Sequence, residues 1–142
     1  MPYENVPSGL VCIQDIKDRQ RVIKQWGFEE IIVNNGKYCG KVLSMYPGWQ
    51  SSKHYHPIKE ETMLCVSGSG VVEIWGNIDE VPAFISLASK HGTSIHLPPG
   101  VAHRFSTPFG EPLVIIEFST PHNDADVERL EVSCELPNIR QT

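Results

Sequence analysis

At 142 residues, with 40% hydrophobic and 20% charged residues, the chain has the length and balance of one globular domain that buries an apolar core. Twelve Lys plus Arg stand against seventeen Asp plus Glu, a formal charge of -5, and no basic run occurs, which argues against nucleic acid as a partner. Met1 to Asn5 carry no basic segment leading into an apolar run, and no stretch is long enough to span a bilayer, so a soluble cytoplasmic protein with no membrane partner is expected.

Residues 10 to 25 are mixed enough to suit a strand, a short helix or both, and they are left open. From Trp26 onward the chain becomes a series of short runs rich in β-branched and apolar residues. These are Glu30–Val33, Gly40–Tyr46, Ser51–His56, Glu61–Ser67, Gly70–Trp75, Ala83–Leu87, Thr93–Leu97, His103–Ser106 and Leu113–Ser119. Turn residues separate them, among them Asn34-Asn35-Gly36, Pro47-Gly48, Pro57, Gly68-Ser69-Gly70, Gly76-Asn77 and Pro98-Pro99-Gly100. The pattern predicts an all-β sandwich or barrel. After Ser119 the composition turns polar, and Asn123 to Leu130 is read as one short helix capped by Asn123 or Asp124. Cys12, Cys39, Cys65 and Cys134 lie far apart with no CxxC pair, the usage expected of buried or idle thiols.

The stretch Gly48 to Gly68 is the most informative. His54 and His56, at i and i+2 on a strand, point to the same side of a pleated sheet. Pro57 then breaks the strand, and the next one opens near Glu60 and Glu61, so that a hairpin can return one carboxylate beside the imidazoles. Alternation alone does not decide between the two glutamates.

These residues resemble the cupin superfamily, whose first motif reads G-x5-H-x-H-x(3,4)-E-x6-G and whose second reads G-x5-P-x-G-x2-H-x3-N. Gly48, His54, His56, Glu61 and Gly68 match the first at every spacing, whereas Glu60 would leave one residue too many before Gly68. Gly92, Pro98, Gly100 and His103 match the second, with Thr107 in place of its final asparagine. The resemblance implies a single cupin (jelly-roll) β-barrel over residues 1–142, its core at about 26–120 with short N- and C-terminal extensions. It also implies a metal site made by His54, His56, Glu61 and His103. Three imidazoles and a carboxylate suit one divalent transition metal ion, Mn2+, Fe2+, Zn2+, Co2+ or Ni2+, and leave positions open to substrate.

Trp26 to Glu30, Asn34 to Lys41, Ser52 to His56 and Glu117 to His122 are similar to small cupins of the mannose-6-phosphate-isomerase-like and lyxose-isomerase-like group, over about residues 26 to 130. That likeness implies aldose–ketose isomerisation of a sugar or sugar phosphate, with Glu73 and Glu117 as candidate catalytic carboxylates and Glu60 behind them. An Fe(II)-dependent dioxygenase and a non-catalytic sugar-binding cupin are the alternatives. If the ligands face inward, Met63, Cys65 and Phe105 share their side, as do Glu73 and Trp75, or else Ile74, on the next strand. Leu113, Ile115 and Glu117 form another alternating set. Lys53, Lys59 and Arg104 stand as cations near the barrel mouth, able to hold an anionic substrate but more plainly serving solubility; Lys41 is read as solvated. His91, His96 and His122 match no ligand position and are read as surface or packing residues. A homodimer is expected, because cupin barrels commonly pair and their edge strands need cover.

Overall fold

The computed structural model describes residue 9 and residues 13–137. Its strands, in chain order, are β1 (Gln20–Lys24), β2 (Gly27–Asn34), β3 (Cys39–Met45), β4 (Trp49–Gln50), β5 (Lys53–Tyr55), β6 (Glu61–Trp75), β7 (Ala83–Ala88), β8 (Ser94–Leu97), β9 (Ala102–Ser106), β10 (Leu113–Ser119), β11 (Glu128–Glu131) and β12 (Cys134–Glu135). Two single 3-10 turns, Ile16–Asp18 and Ser89–His91, are the only helical pieces among the described residues. The chain is all-β, as expected, and every strand pairing is antiparallel.

The sheet curls into a half-barrel consistent with a cupin jelly roll. One side runs β1-β2-β3-β10 to the first half of β6, with β8 on its other edge. The second half of β6 pairs β7 and β9, and β9 leads on to β4 and β5, which pair β12 and β11. Inward residues of both sides make the core, centred on Val72, Leu113, Ile115, Leu97 and Phe105. The alternation that predicted the strands is visible in β3, where Cys39, Lys41, Leu43 and Met45 are buried and the residues between them are half-buried.

Strand β6 corrects the sequence reading in two ways. Gly68-Ser69-Gly70 is no turn, because a single fifteen-residue strand passes through it. The pairing with β10 slips at this point: Val114 lies opposite Ser67, but Ile115 lies opposite Cys65, leaving Val66 as an extra residue. Such a bulge reverses which side each later residue faces. Glu61, Met63 and Cys65 therefore face inward on one side of it, and Gly70, Val72 and Ile74 on the other. Glycine is required at both ends of the bend. Gly68 has φ +75, and a Cβ there would sit 1.7 Å from the Pro112 carbonyl oxygen; one at Gly70 would sit 2.6 Å from that of Ser106.

The helix expected over Asn123 to Leu130 is absent. The Asn123 side chain accepts the Ala125 N–H at 2.9 Å, its carbonyl accepts that of Asp126, and the chain then extends as β11 along β5. A local Asx turn and a free strand edge outcompete a helix that would have had no apolar face to bury. Cys39 and Cys65 are buried and Cys134 is exposed, all as free thiols, while Cys12 lies outside the described residues.

Candidate metal centre and its cavity

His54 and His103 are direct partners across β5 and β9, and His56 follows just beyond the end of β5. Their rings cluster with centroids 4.6 Å apart for His54 and His103 and 5.1 Å for His54 and His56. One nitrogen from each lies within 4.8 Å of the others, an arrangement that can hold a divalent metal ion.

The imidazoles are held in one tautomer. Each Nδ1 meets a backbone carbonyl: His54 that of Ser52 at 3.0 Å, His56 that of Asp126 at 2.6 Å, His103 that of Val101 at 3.0 Å. A carbonyl only accepts, so each Nδ1 carries the proton and each Nε2 keeps its lone pair for the shared centre. Burial is the main reason all three rings resist protonation, with His56 pushed down to about 4, helped by the Lys59 ammonium. Neutral imidazole is the form a metal binds.

Glu61 does not arrive by a hairpin. β5 and β6 are not paired, and its carboxylate reaches the histidines from the facing side of the barrel. Oε1 lies 3.5 Å from His56 Nε2 and Oε2 lies 3.5 Å from His103 Nε2. Glu61 Oε2 and His103 Nε2 are both buried without a hydrogen-bond partner. Two ligands about 2.1 Å from one ion stand roughly 3.0–3.5 Å apart, so the orphaned atoms and the donor set fit a divalent cation. Glu60, the rival by sequence, is exposed and meets His96 Nε2 at 2.9 Å on the outer surface.

Behind Glu61 stands a buried polar network that the sequence did not reveal. Lys59 is 3% exposed. Its ammonium donates to Glu61 Oε1 at 2.7 Å and reaches Glu117 Oε2 and His122 Nδ1, each at 3.2 Å. Three N–H groups thus meet three acceptors. His122 in turn donates Nε2–H to Asp124 at 2.8 Å, so it belongs to the cavity rather than to the plain surface. Burial, and then the neighbouring Glu117, push the Glu61 carboxyl up to about 7. Burial also acts against the charge on Glu117, but Lys59, Lys41 and the Ser119 hydroxyl more than offset it and hold that carboxyl below its usual range. The loop carrying Lys59 is fixed by Asp126, whose two carboxylate oxygens accept the Ile58 and Lys59 N–H groups at 2.9 and 2.8 Å.

These groups open into a cavity of about 1150 Å3 lined from both sides of the barrel, Met63, Phe105, Ile115, Glu117 and Lys41 among its walls. Glu73 is not among the lining residues. The bulge at Val66 turns it to the opposite side, where it accepts from Arg104 Nη2 at 2.6 Å, and Ile74 is the residue that packs against the core. Arg104 and Lys53 lie over Trp75 on that same side, so neither is a cation of the cavity. Cys65 is a core residue that does not reach the cavity.

Sequence signals for the missed residues existed only in part. Lys41 shares its alternation with Leu43 and Met45, and Lys59 stands two residues before Glu61, but a lysine in such a place is ordinarily solvated. Asp126 gave no signal, because its role depends on a contact 67 residues away in sequence.

Residues 41–119 match the family model described as the cupin domain. Among curated proteins, the chain is 26% identical over 125 residues to a mannose-1-phosphate guanylyltransferase of Sinorhizobium fredii, an alignment covering 85% of this chain and 23% of that protein. Among solved structures it is similar to the capsular polysaccharide assembling protein CapF of Staphylococcus aureus, with TM-score 0.72, 21% identity, and coverage of 80% of this chain and 34% of that one. It is also similar to oxalate decarboxylase of Bacillus subtilis, with TM-score 0.68, 15% identity, and coverage of 81% and 31%. The chain thus spans about a quarter to a third of the length of these relatives, and the structural likenesses speak for the fold alone. With the family model covering more than half its length and the barrel built as that family builds it, this chain belongs to the cupin domain family.

Proposed function

We propose that the protein is a metal-dependent aldose–ketose isomerase acting on a sugar or sugar phosphate, with one divalent ion held by His54, His56, His103 and Glu61. The observation that carries this reading is a pair of ionisable functions in one cavity. A nitrogen-rich centre has bare buried atoms at its focus, and beside it the carboxylate of Glu117 is held charged by Lys59. The guanylyltransferase relative adds a sugar phosphate as the chemical neighbourhood.

A divalent ion bound there supplies Lewis acidity to a carbonyl and an adjacent hydroxyl of the substrate. Glu117 then has the role of general base. Its Oε2 is taken by Lys59 and Ser119, which leaves Oε1 as the oxygen that accepts a proton from one carbon and returns it to the next. Lys59 orients Glu117 and keeps it ionised, and it holds Glu61 so that Oε2 faces His103. Met63, Phe105 and Ile115 form an apolar wall that limits water beside the exchanged proton. The proposed working unit is a single domain paired as a homodimer, since β1 ends the sheet with Ile23 74% exposed.

Metal-loaded protein incubated in deuterated water with a panel of aldoses and ketoses should interconvert one pair and place deuterium at C1 or C2. Chelation should abolish both. Oxygen consumption with some compound, in the absence of any interconversion or exchange across the panel, would replace this reading with an Fe(II) oxygenase.

A further inference from the structure

The proposed mechanism uses Lys59, Glu61 and Glu117 but gives no role to His122, although the chain holds that residue firmly. Its backbone is gripped by the Asn34 side chain, which accepts the His122 N–H at 2.9 Å and donates to the His122 carbonyl at 3.1 Å. Its ring is gripped by Asp124, which accepts Nε2–H at 2.8 Å. A ring that gives its proton from Nε2 keeps a lone pair on Nδ1, and that atom stands 3.2 Å from the Lys59 ammonium. Further along, Asp126 accepts the Ile58 and Lys59 backbone N–H groups. The segment 122–126 belongs to no strand, yet it meets Lys59 at both ends, backbone and ammonium.

From this geometry we infer that His122 is a positioning residue: held by Asn34 and Asp124, it takes the third N–H of Lys59 and so fixes how the ammonium presents the other two to Glu61 and Glu117. An ammonium carries three donors that turn together about the Cε–Nζ bond. With two acceptors, the third N–H would be stranded on a side chain 3% exposed, and turning or leaning toward water would be the easiest relief. With three, the group has an orientation in which every N–H is used. That orientation leaves Glu61 Oε2 facing His103 and Glu117 Oε1 free for substrate, and a loosened ammonium would hold neither carboxylate in place. An imidazole suits the position because it accepts without carrying charge. A carboxylate there would put a third negative group around one lysine and draw it away from Glu61 and Glu117. Asp124 can orient the ring from outside, since its side chain is fully exposed and its charge stays in water.

The catalytic consequence rests on the isomerase reading, whereas the positioning is read from Lys59 directly. In zinc-loaded, isotope-labelled protein the Lys59 ammonium should give a slowly exchanging proton–nitrogen resonance, identified by its loss in K59R. H122F fills the space without an acceptor and should speed exchange with water by about tenfold or more, the scale of one hydrogen bond to a charged group. H122N, which returns an acceptor near the Nδ1 position, should restore most of the protection. In any isomerisation the protein catalyses, H122F should lower kcat by a similar factor with KM little changed, and H122N should recover it. No protected Lys59 resonance in the native protein, exchange unmoved in H122F, no rescue by H122N, or lost protection with kcat intact would overturn the assignment. Absence of turnover in the native protein would remove the isomerase reading and leave the Lys59 resonance to decide. Should H122F fail to fold, N34A, which frees the His122 backbone at an exposed position, reads the same resonance: faster exchange supports the assignment and unchanged exchange overturns it.

Discussion

Thr107 occupies the position where the second cupin motif carries asparagine, and the structure shows what the hydroxyl does there. It is fully buried. Its Oγ1 donates to the Tyr46 carbonyl at 2.7 Å and accepts the Trp49 N–H at 3.0 Å, clamping the end of β9 to the turn that leads into the histidine-bearing strand. Thr107→Val keeps the shape and removes both bonds, leaving one donor and one acceptor without that partner. At about 1–3 kcal/mol for each buried group so stranded, and toward the lower end here because both bonds are only part-buried, the expected loss is about 2–4 kcal/mol, against about 1 kcal/mol for Thr107→Ser, which keeps the hydroxyl and loses only a methyl. Urea unfolding followed by tryptophan fluorescence measures both, with the slope m checked for constancy. If serine proves as costly as valine, the hydroxyl is not the reason for threonine at this position and the clamp argument fails.

The double substitution His54→Ala with His56→Ala should leave protein without bound metal by elemental analysis, and Glu61→Gln should weaken metal binding far more than Glu60→Gln; the reverse order would assign the fourth ligand to Glu60. Metal uptake should release close to one proton below pH 7 and almost none well above it, because Glu61, raised to about 7, must lose its proton to bind. Affinity therefore rises with pH through 7 and levels off above it, and calorimetry in buffers of different ionisation enthalpy would expose a release that does not change with pH. Lys59→Met should destabilise the metal-free protein by about 3–5 kcal/mol by stranding two buried carboxylates, seen as a lowered urea midpoint that added metal partly restores.

Much of the fold was legible because it rests on short-range rules. Alternation marked β3 and β10, with Leu113, Ile115 and Glu117 sharing one side as read, and Pro57 ended the histidine strand where expected. The four residues singled out by motif spacing do converge, since i, i+2 geometry on a strand sends His54 and His56 the same way. The choice of Glu61 over Glu60 came from a count of residues before Gly68, and that glycine marks a real physical event, the bend next to the bulge.

What the residues determined by themselves, then, was an all-β barrel and the set of side chains meeting at its centre, because both follow from periodicity and local geometry. Only the tertiary structure decided the rest. One extra residue at Val66 sends Glu73 outward to Arg104 and leaves Glu117 as the one of the two candidate catalytic carboxylates that lines the cavity, an inversion that no count of alternating residues detects. The edge of β5 draws residues 128–131 into a strand where local composition suggested a helix. Lys59 and Lys41 are buried because carboxylates from other parts of the chain, Glu61 and Glu117 for the first and Glu29 for the second, make a charged interior tolerable, and a lysine read alone carries no trace of the company it will keep.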